Sequence, residues 1–182
     1  MAGRNLSFEN CTEAVIMGNI IGTGINGNEP GYVITSYTTL PSNQKGISMD
    51  DDCSGFQIKN NLITGNYYNQ IYAYSGTQIT ISGNKIGTDL TGMAVMSLPD
   101  IPPYFYNSPD NGIEFWEGVS NSTIGPDNII SGMAGGAGIR IYGSHDCMII
   151  GNKIGTDLSG NPVLGNSEGG IAIESGNYGE SP

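Results

Sequence analysis

Positive charge is what this chain has least of. Six Lys and Arg stand against seventeen Asp and Glu in 182 residues, a net charge of −11. Binding to a nucleic-acid backbone rests on Lys and Arg displacing counterions from phosphates, so the composition argues against that class of partner. An anionic ligand stays open, because one local basic group can outweigh the total. Long apolar runs are also missing: none approaches the ~18 residues of a membrane-spanning helix, and there is no heptad or long amphipathic helical stretch. The three cysteines, Cys11, Cys53 and Cys147, are odd in number and lack CxxC spacing. That argues against a disulfide framework or a zinc site and for small buried residues filling turns. The first residues, Met1-Ala2-Gly3-Arg4-Asn5, carry no apolar signal-peptide core, yet a secreted protein without its leader would begin the same way.

What the chain has in quantity is glycine, 29 residues with no three-residue period, which implies many turns rather than a fibre. It also repeats itself. Gly83-Asn84-Lys85-Ile86-Gly87-Thr88-Asp89-Leu90 and Gly151-Asn152-Lys153-Ile154-Gly155-Thr156-Asp157-Leu158 are identical. Worn copies lie at Gly18-Asn19-Ile20-Ile21-Gly22-Thr23, around Asn61 and around Asn128, so the matching asparagines are Asn19, Asn61, Asn84, Asn128 and Asn152. Recurrence of this kind marks an array of stacked units.

Each asparagine phrase is followed by a short run with apolar residues at alternate positions. The runs begin at Leu6, Ile47, Ile71, Ile113, Ile139 and Ile171. Alternation predicts half-buried strands, odd members inward and even members outward. A second alternating piece follows each, such as Phe56-Gln57-Ile58 or Ile79-Thr80-Ile81. A unit of three short strands cannot bury its own apolar side and must stack on neighbours. Stacked units place the asparagines above one another, their amides bonding along the stack; Asn tolerates the left-handed corner conformation.

The repeated GNxIGTDxxG…GIxI pattern resembles the right-handed parallel β-helix of the pectin-lyase-like superfamily, over essentially the whole chain. The resemblance implies an all-β, right-handed, single-stranded parallel β-helix of about five to six coils, open at both ends. It implies one domain over residues 1–182, expected to be a section of a longer β-helix, with neighbouring domains or self-association covering the ends. Members include pectate lyases, polygalacturonases, alginate lyases, phage tailspikes and surface proteins without known activity. An extracellular, cell-surface or virion-surface location is the corresponding expectation. Strand starts are 41, 24, 42, 26 and 32 residues apart. The excess over a minimal coil falls at residues 22–45, 87–111 and 155–169, insertions that leave one corner and are expected to wall one face. The middle insertion carries the Pro- and aromatic-rich Pro99-Asp100-Ile101-Pro102-Pro103-Tyr104-Phe105-Tyr106.

Aligning the six runs predicts two outward columns. One reads Ser7, Ser48, Tyr72, Glu114, Arg140, Ala172; the other Glu9, Asp50, Tyr74, Trp116, Tyr142, Glu174. Tyr74, Trp116 and Tyr142 form a strip with Tyr72 beside it, and flat rings suit the apolar faces of sugars. The candidate substrate-binding residues are therefore Tyr72, Tyr74, Trp116, Tyr142, Glu114 and Asp50. The first functional expectation is a non-catalytic module that binds polysaccharide.

The alternative is a polysaccharide lyase or an inverting glycoside hydrolase, with Asp51, Glu117, Arg140, Tyr142 and His145 as candidate catalytic residues. Two coils between Asp51 and Glu117 correspond to ~9.6 Å, at the upper edge of the ~6.5–9.5 Å of inverting carboxylates. In the lyase version Arg140 or Tyr142 abstracts the proton and His145 assists. Asp51-Asp52-Cys53 also resembles part of the polygalacturonase Asp-Asp-Cys motif, but Gly-His-Gly and Arg-Ile-Lys are absent and the chain has one His. Glu114 and Arg140 are alternatively expected to be a simple surface ion pair. A third expectation is a purely architectural stack. No cofactor or metal is required; calcium at Asp89, Asp157 or Asp50–Asp52 competes with the same carboxylates capping their own turns.

Overall fold

The computed structural model describes residues 6–23, 45–66, 68–96 and 110–176. The described residues contain no helix; they form strands of two to four residues in four parallel sheets. The largest sheet takes Leu6–Glu9, Ile47–Asp50, Ile71–Ala73, Ile113–Phe115, Ile139–Tyr142 and Ile171–Glu174, in that order. A second sheet takes Val15–Met17, Gln57–Lys59, Thr80–Ser82, Thr123–Ile124 and Met148–Ile149. A third takes Ile20–Ile21, Leu62–Ile63, Lys85–Ile86, Ile129–Ile130 and Lys153–Ile154, and a small fourth takes Cys53–Ser54, Gly76–Thr77 and Val119–Ser120. Spatial order follows chain order in every sheet, with strands of the other sheets between successive members. The arrangement is compatible with a parallel β-helix.

Register is fixed by isoleucine. Ile47, Ile71, Ile113, Ile139 and Ile171 are successive partners in the large sheet. Ile16, Ile58, Ile81 and Ile124 align in the second, and Ile21, Ile63, Ile86 and Ile130 in the third. All of these except Ile171 converge from the sheets into one core with Met49, Phe56, Phe115 and Val119. Each fully buried Ile contributes on the order of 1.5–3 kcal/mol over its exposed state. A one-residue slip would turn a whole strand's set to the other face, so register is strongly specified. Burial fades at the last strand, where Ile171 and Ile173 are 48 % and 73 % exposed, since no strand among the described residues lies beyond it.

The corner before the third sheet holds the asparagines. The Nδ2 of each donates to Oδ1 of the next: Asn19 to Asn61 at 3.1 Å, Asn61 to Asn84 at 3.0 Å, Asn84 to Asn128 at 3.0 Å and Asn128 to Asn152 at 2.8 Å. Backbone N–H groups of Asn19, Asn61 and Asn84 donate to the same oxygens at 2.9 Å. From Asn61 onward an amide hydrogen also goes to a carbonyl of the preceding rung, as from Asn84 to Ile58 at 2.8 Å, whereas Asn19 donates to Met17 O of its own rung at 3.1 Å. Buried polar groups must be paired, and here the pairing runs along the stack.

The two identical phrases close the same turn, Gly92 N–H donating to Asp89 O at 3.1 Å and Gly160 N–H to Asp157 O at 3.0 Å, and Leu158 N–H to Gly92 O at 2.8 Å joins the two loops. Residues 24–44 and 97–109, hence most of the first two insertions and the whole Pro99–Tyr106 stretch, lie outside the described residues.

Candidate functional site

The outer face of the largest sheet carries the candidate residues, and its register places Ser7, Ser48, Tyr72, Glu114, Arg140 and Ala172 in one column. In the second column Glu9 pairs with Asp50, and Tyr142 with Glu174. Trp116 and Tyr142 stack with ring centroids 4.3 Å apart and planes inclined by 20°. Both are partly exposed, and Tyr74 is 40 % exposed. Trp116 is held from behind by its own N–H on Ala73 O at 2.7 Å, while the Ser144 hydroxyl donates to its carbonyl at 2.6 Å. Lys45 Nζ sits 3.1 Å above the Tyr72 ring, a cation–π contact.

Two outward positions are not at the surface. Ser48 is fully buried and Glu114 only 7 % exposed. Alternation gives the direction of a side chain, not what covers it. Ser48 donates to both Asp50 oxygens at 3.1 Å, and Glu114 accepts from the Asn69 side-chain amide. The ion pair of Glu114 with Arg140 is therefore not a surface pair. Arg140 Nε lies 3.9 Å from Glu114 Oε1, while its Nη2 binds Glu174 Oε2 at 2.9 Å. That Nε is buried and has no hydrogen-bond partner.

Burial pushes the Glu114 carboxyl above its usual range; the Asn69 amide, Arg140, Lys45 and Asn111 pull it down without cancelling that rise. Asp110 is pushed up in the same way, first by burial and then by the charges of Glu114 and Glu168, with Arg140 opposing. Two neighbouring carboxyls thus titrate above their ordinary range beside one guanidinium. The cluster offers a polar ligand amide and guanidinium donors and carboxylate acceptors.

Asp110, Asn69, Asn111 and Lys45 escaped the sequence reading because they stand before the strands. A signal was there: Lys45, Asn69 and Asn111 each sit two residues ahead of a strand-opening isoleucine.

The other candidates lie apart from this cluster in the turns. Asp51 and Asp52 follow their strand in the left-handed region, φ 50° and 48°, and are exposed. Glu117 is partly buried in the turn after Trp116. His145 Nδ1 is 2.9 Å from Asp146 Oδ2, both side chains open to solvent. Burial raises Asp89, but the Thr91 hydroxyl and the Met93, Ala94 and Gly92 amides outweigh it and hold the carboxyl below its usual range. The Asn161 amide does the same for Asp157. The oxygens that calcium would take are engaged by their own turns, and no group of three or more His, Cys, Asp or Glu among the described residues is placed to hold a metal ion. A groove of about 470 Å³, lined by Asn19, Ile20, Asn60, Leu62, Lys85 and Leu90 among others, opens at the asparagine corner rather than over the aromatic pair.

Comparison with family models, with curated proteins and with solved structures gives no match to this chain.

Proposed function

We propose that the chain is a right-handed parallel β-helix of the pectin-lyase-like kind, a carbohydrate-binding module working at a cell or virion surface. The observation that carries the reading is the stacked, partly exposed Trp116–Tyr142 pair beside the Glu114–Arg140–Glu174 cluster. The stacked rings cover each other's inner faces and leave an apolar ridge of ring edges and outer faces against which the C–H face of a pyranose can pack, while adjacent ionic groups fix the hydroxyls. Lys45, seated over the Tyr72 ring in the neighbouring column, supplies a cation for an acidic sugar.

The test is a panel of neutral and acidic polysaccharides, scored for binding and, on the same samples, for new ultraviolet absorbance and new reducing ends. Binding without product, abolished by Trp116→Ala, supports the module. Absence of binding to every member, with the fold intact, supports the architectural reading instead.

One observation favours the enzymatic alternative, a lyase or inverting hydrolase. The half-buried Asp110 and the buried Glu114 carboxyls are both raised above their ordinary range, the direction of shift that suits a general acid. In that reading Glu114 protonates the leaving oxygen and Arg140 holds an anionic substrate. Product formation that falls in Glu114→Gln while binding persists would establish it.

A further inference from the structure

The first two rungs bring two free thiols into register. Thr12 and Ser54 form a parallel bridge, with Ser54 N–H donating to Cys11 O at 3.0 Å and Glu13 N–H to Ser54 O at 2.8 Å. Cys11 is therefore the rung neighbour of Cys53. Neighbouring parallel strands are ~4.8 Å apart, inside the 4.4–6.8 Å between Cα atoms that a disulfide spans. Both side chains face the interior: Cys53 is fully buried in the core and Cys11 packs against it. Both thiols are free, each donating to a carbonyl of its own rung, Cys11 to Glu9 at 3.2 Å and Cys53 to Asp50 at 3.3 Å.

We propose that Cys11 and Cys53 are a redox-active pair that forms a disulfide on exposure to a small-molecule disulfide such as oxidised glutathione, clipping the first rung to the second. Cys11, the more accessible of the two, attacks the glutathione disulfide first. Its thiolate displaces one glutathione thiolate and forms a mixed disulfide, its proton going to the departing sulfur. The Cys53 sulfur then attacks the Cys11 sulfur, the second glutathione leaves, and the Cys53 proton goes with it. Two protein thiols are oxidised and one glutathione disulfide is reduced to two thiols. Burial pushes the Cys53 thiol up, which makes the second step the slow one.

Cys147 is not an alternative partner. From Cys53 the ladder passes through Gly76 and Val119 before it reaches the rung of His145, whose bridge partner is Ser120. Three rungs amount to ~14 Å, beyond the reach of a disulfide. The Cys11–Cys53 link closes a loop over residues 12–52, so its constraint on the unfolded chain is substantial.

The folded protein is incubated with oxidised glutathione, alkylated and digested with trypsin without reduction. Residues 5–45, which hold Cys11, and residues 46–59, which hold Cys53, are expected as one linked species that reduction separates. Cys147 is expected to be alkylated or glutathionylated. Thermal unfolding of the oxidised protein is expected to shift upward by roughly 5 °C or more, and Cys147→Ser should behave as wild type. In Cys11→Ser both the link and the shift disappear. The proposal is overturned if folded wild type yields only free or singly glutathionylated Cys11, if Cys11 pairs with Cys147, or if the link forms without raising the midpoint.

Discussion

The amide of Asn84 donates to Oδ1 of Asn128 at 3.0 Å while its own Oδ1 receives the Asn61 amide at the same distance. Each asparagine is donor to one rung and acceptor from another, so the amide dipoles point one way along the stack. Asn84 and Asn128 are fully buried, whereas Asn19 at the head of the ladder is exposed. Asn84→Ala leaves the Asn61 donors and the Asn128 acceptor with lost partners in a dry corner. It is expected to cost about 3 kcal/mol or more, against about 1 kcal/mol for Asn19→Ala. Denaturant unfolding of the two variants checks the contrast; equal costs would mean that the ladder does not carry stability.

Glu114 and Asp110 give stability a definite pH sign. Their folded pKa values are raised, so the folded state binds protons more tightly than the unfolded chain. The contribution is fully present below the ordinary values of 4.5 and 3.8 and is lost as pH rises through the folded values. Glu114→Gln removes the glutamate's share. Its midpoint is therefore expected to fall less than that of wild type between pH 4 and neutrality.

Asp89 and Asp157 act in the opposite direction. Their folded values are lowered, so their contribution is present above the ordinary 3.8 and is lost as pH falls through the folded values. Asp89→Asn should flatten the acid limb of the stability profile and leave the limb above pH 5 unchanged.

Backbone approach in the small sheet is tested at glycine. Gly76 has φ +125°, and a Cβ there would come within 1.9 Å of Cys53 O; Gly160 has φ +87° with nothing within 4 Å. Gly160→Ala is expected to cost about 1 kcal/mol from backbone strain alone. Gly76→Ala must also push two rungs apart and should cost several times more, read from the urea midpoints.

Much of the architecture was legible because it repeats. Isoleucine at alternating positions gave the strand starts, and the register Ser48–Tyr72–Glu114–Arg140 in the large sheet follows from aligning them. The surroundings of Glu114 were not legible. Its cover comes from Asn69 and from the Asp110–Asn111 segment, which stand ahead of the strands; alternation carries no information about them, and only the shared two-residue offset of Asn69 and Asn111 from their isoleucines hinted at them. The turn role of Asp89 was foreseeable, since a carboxylate three residues before a glycine amide can close its own loop, and Asp89 Oδ1 accepts from Gly92 N–H at 2.8 Å. Exposure of the aromatic pair was legible only in part: the column placed Trp116 and Tyr142 together, but their stacking depends on rotamers.

Trp116 is the only tryptophan in the chain, so its emission reports on the proposed apolar ridge without a label. Polysaccharides are titrated into wild type and into Tyr142→Ala, which keeps the indole and removes its stacked neighbour. The account predicts a saturable change in emission with at least one polysaccharide, weakened roughly two- to tenfold in Tyr142→Ala, given the ~0.5–1.5 kcal/mol that an aromatic contact contributes. Emission that stays constant across the panel while circular dichroism shows folded protein, or a response unaltered by Tyr142→Ala, would contradict it.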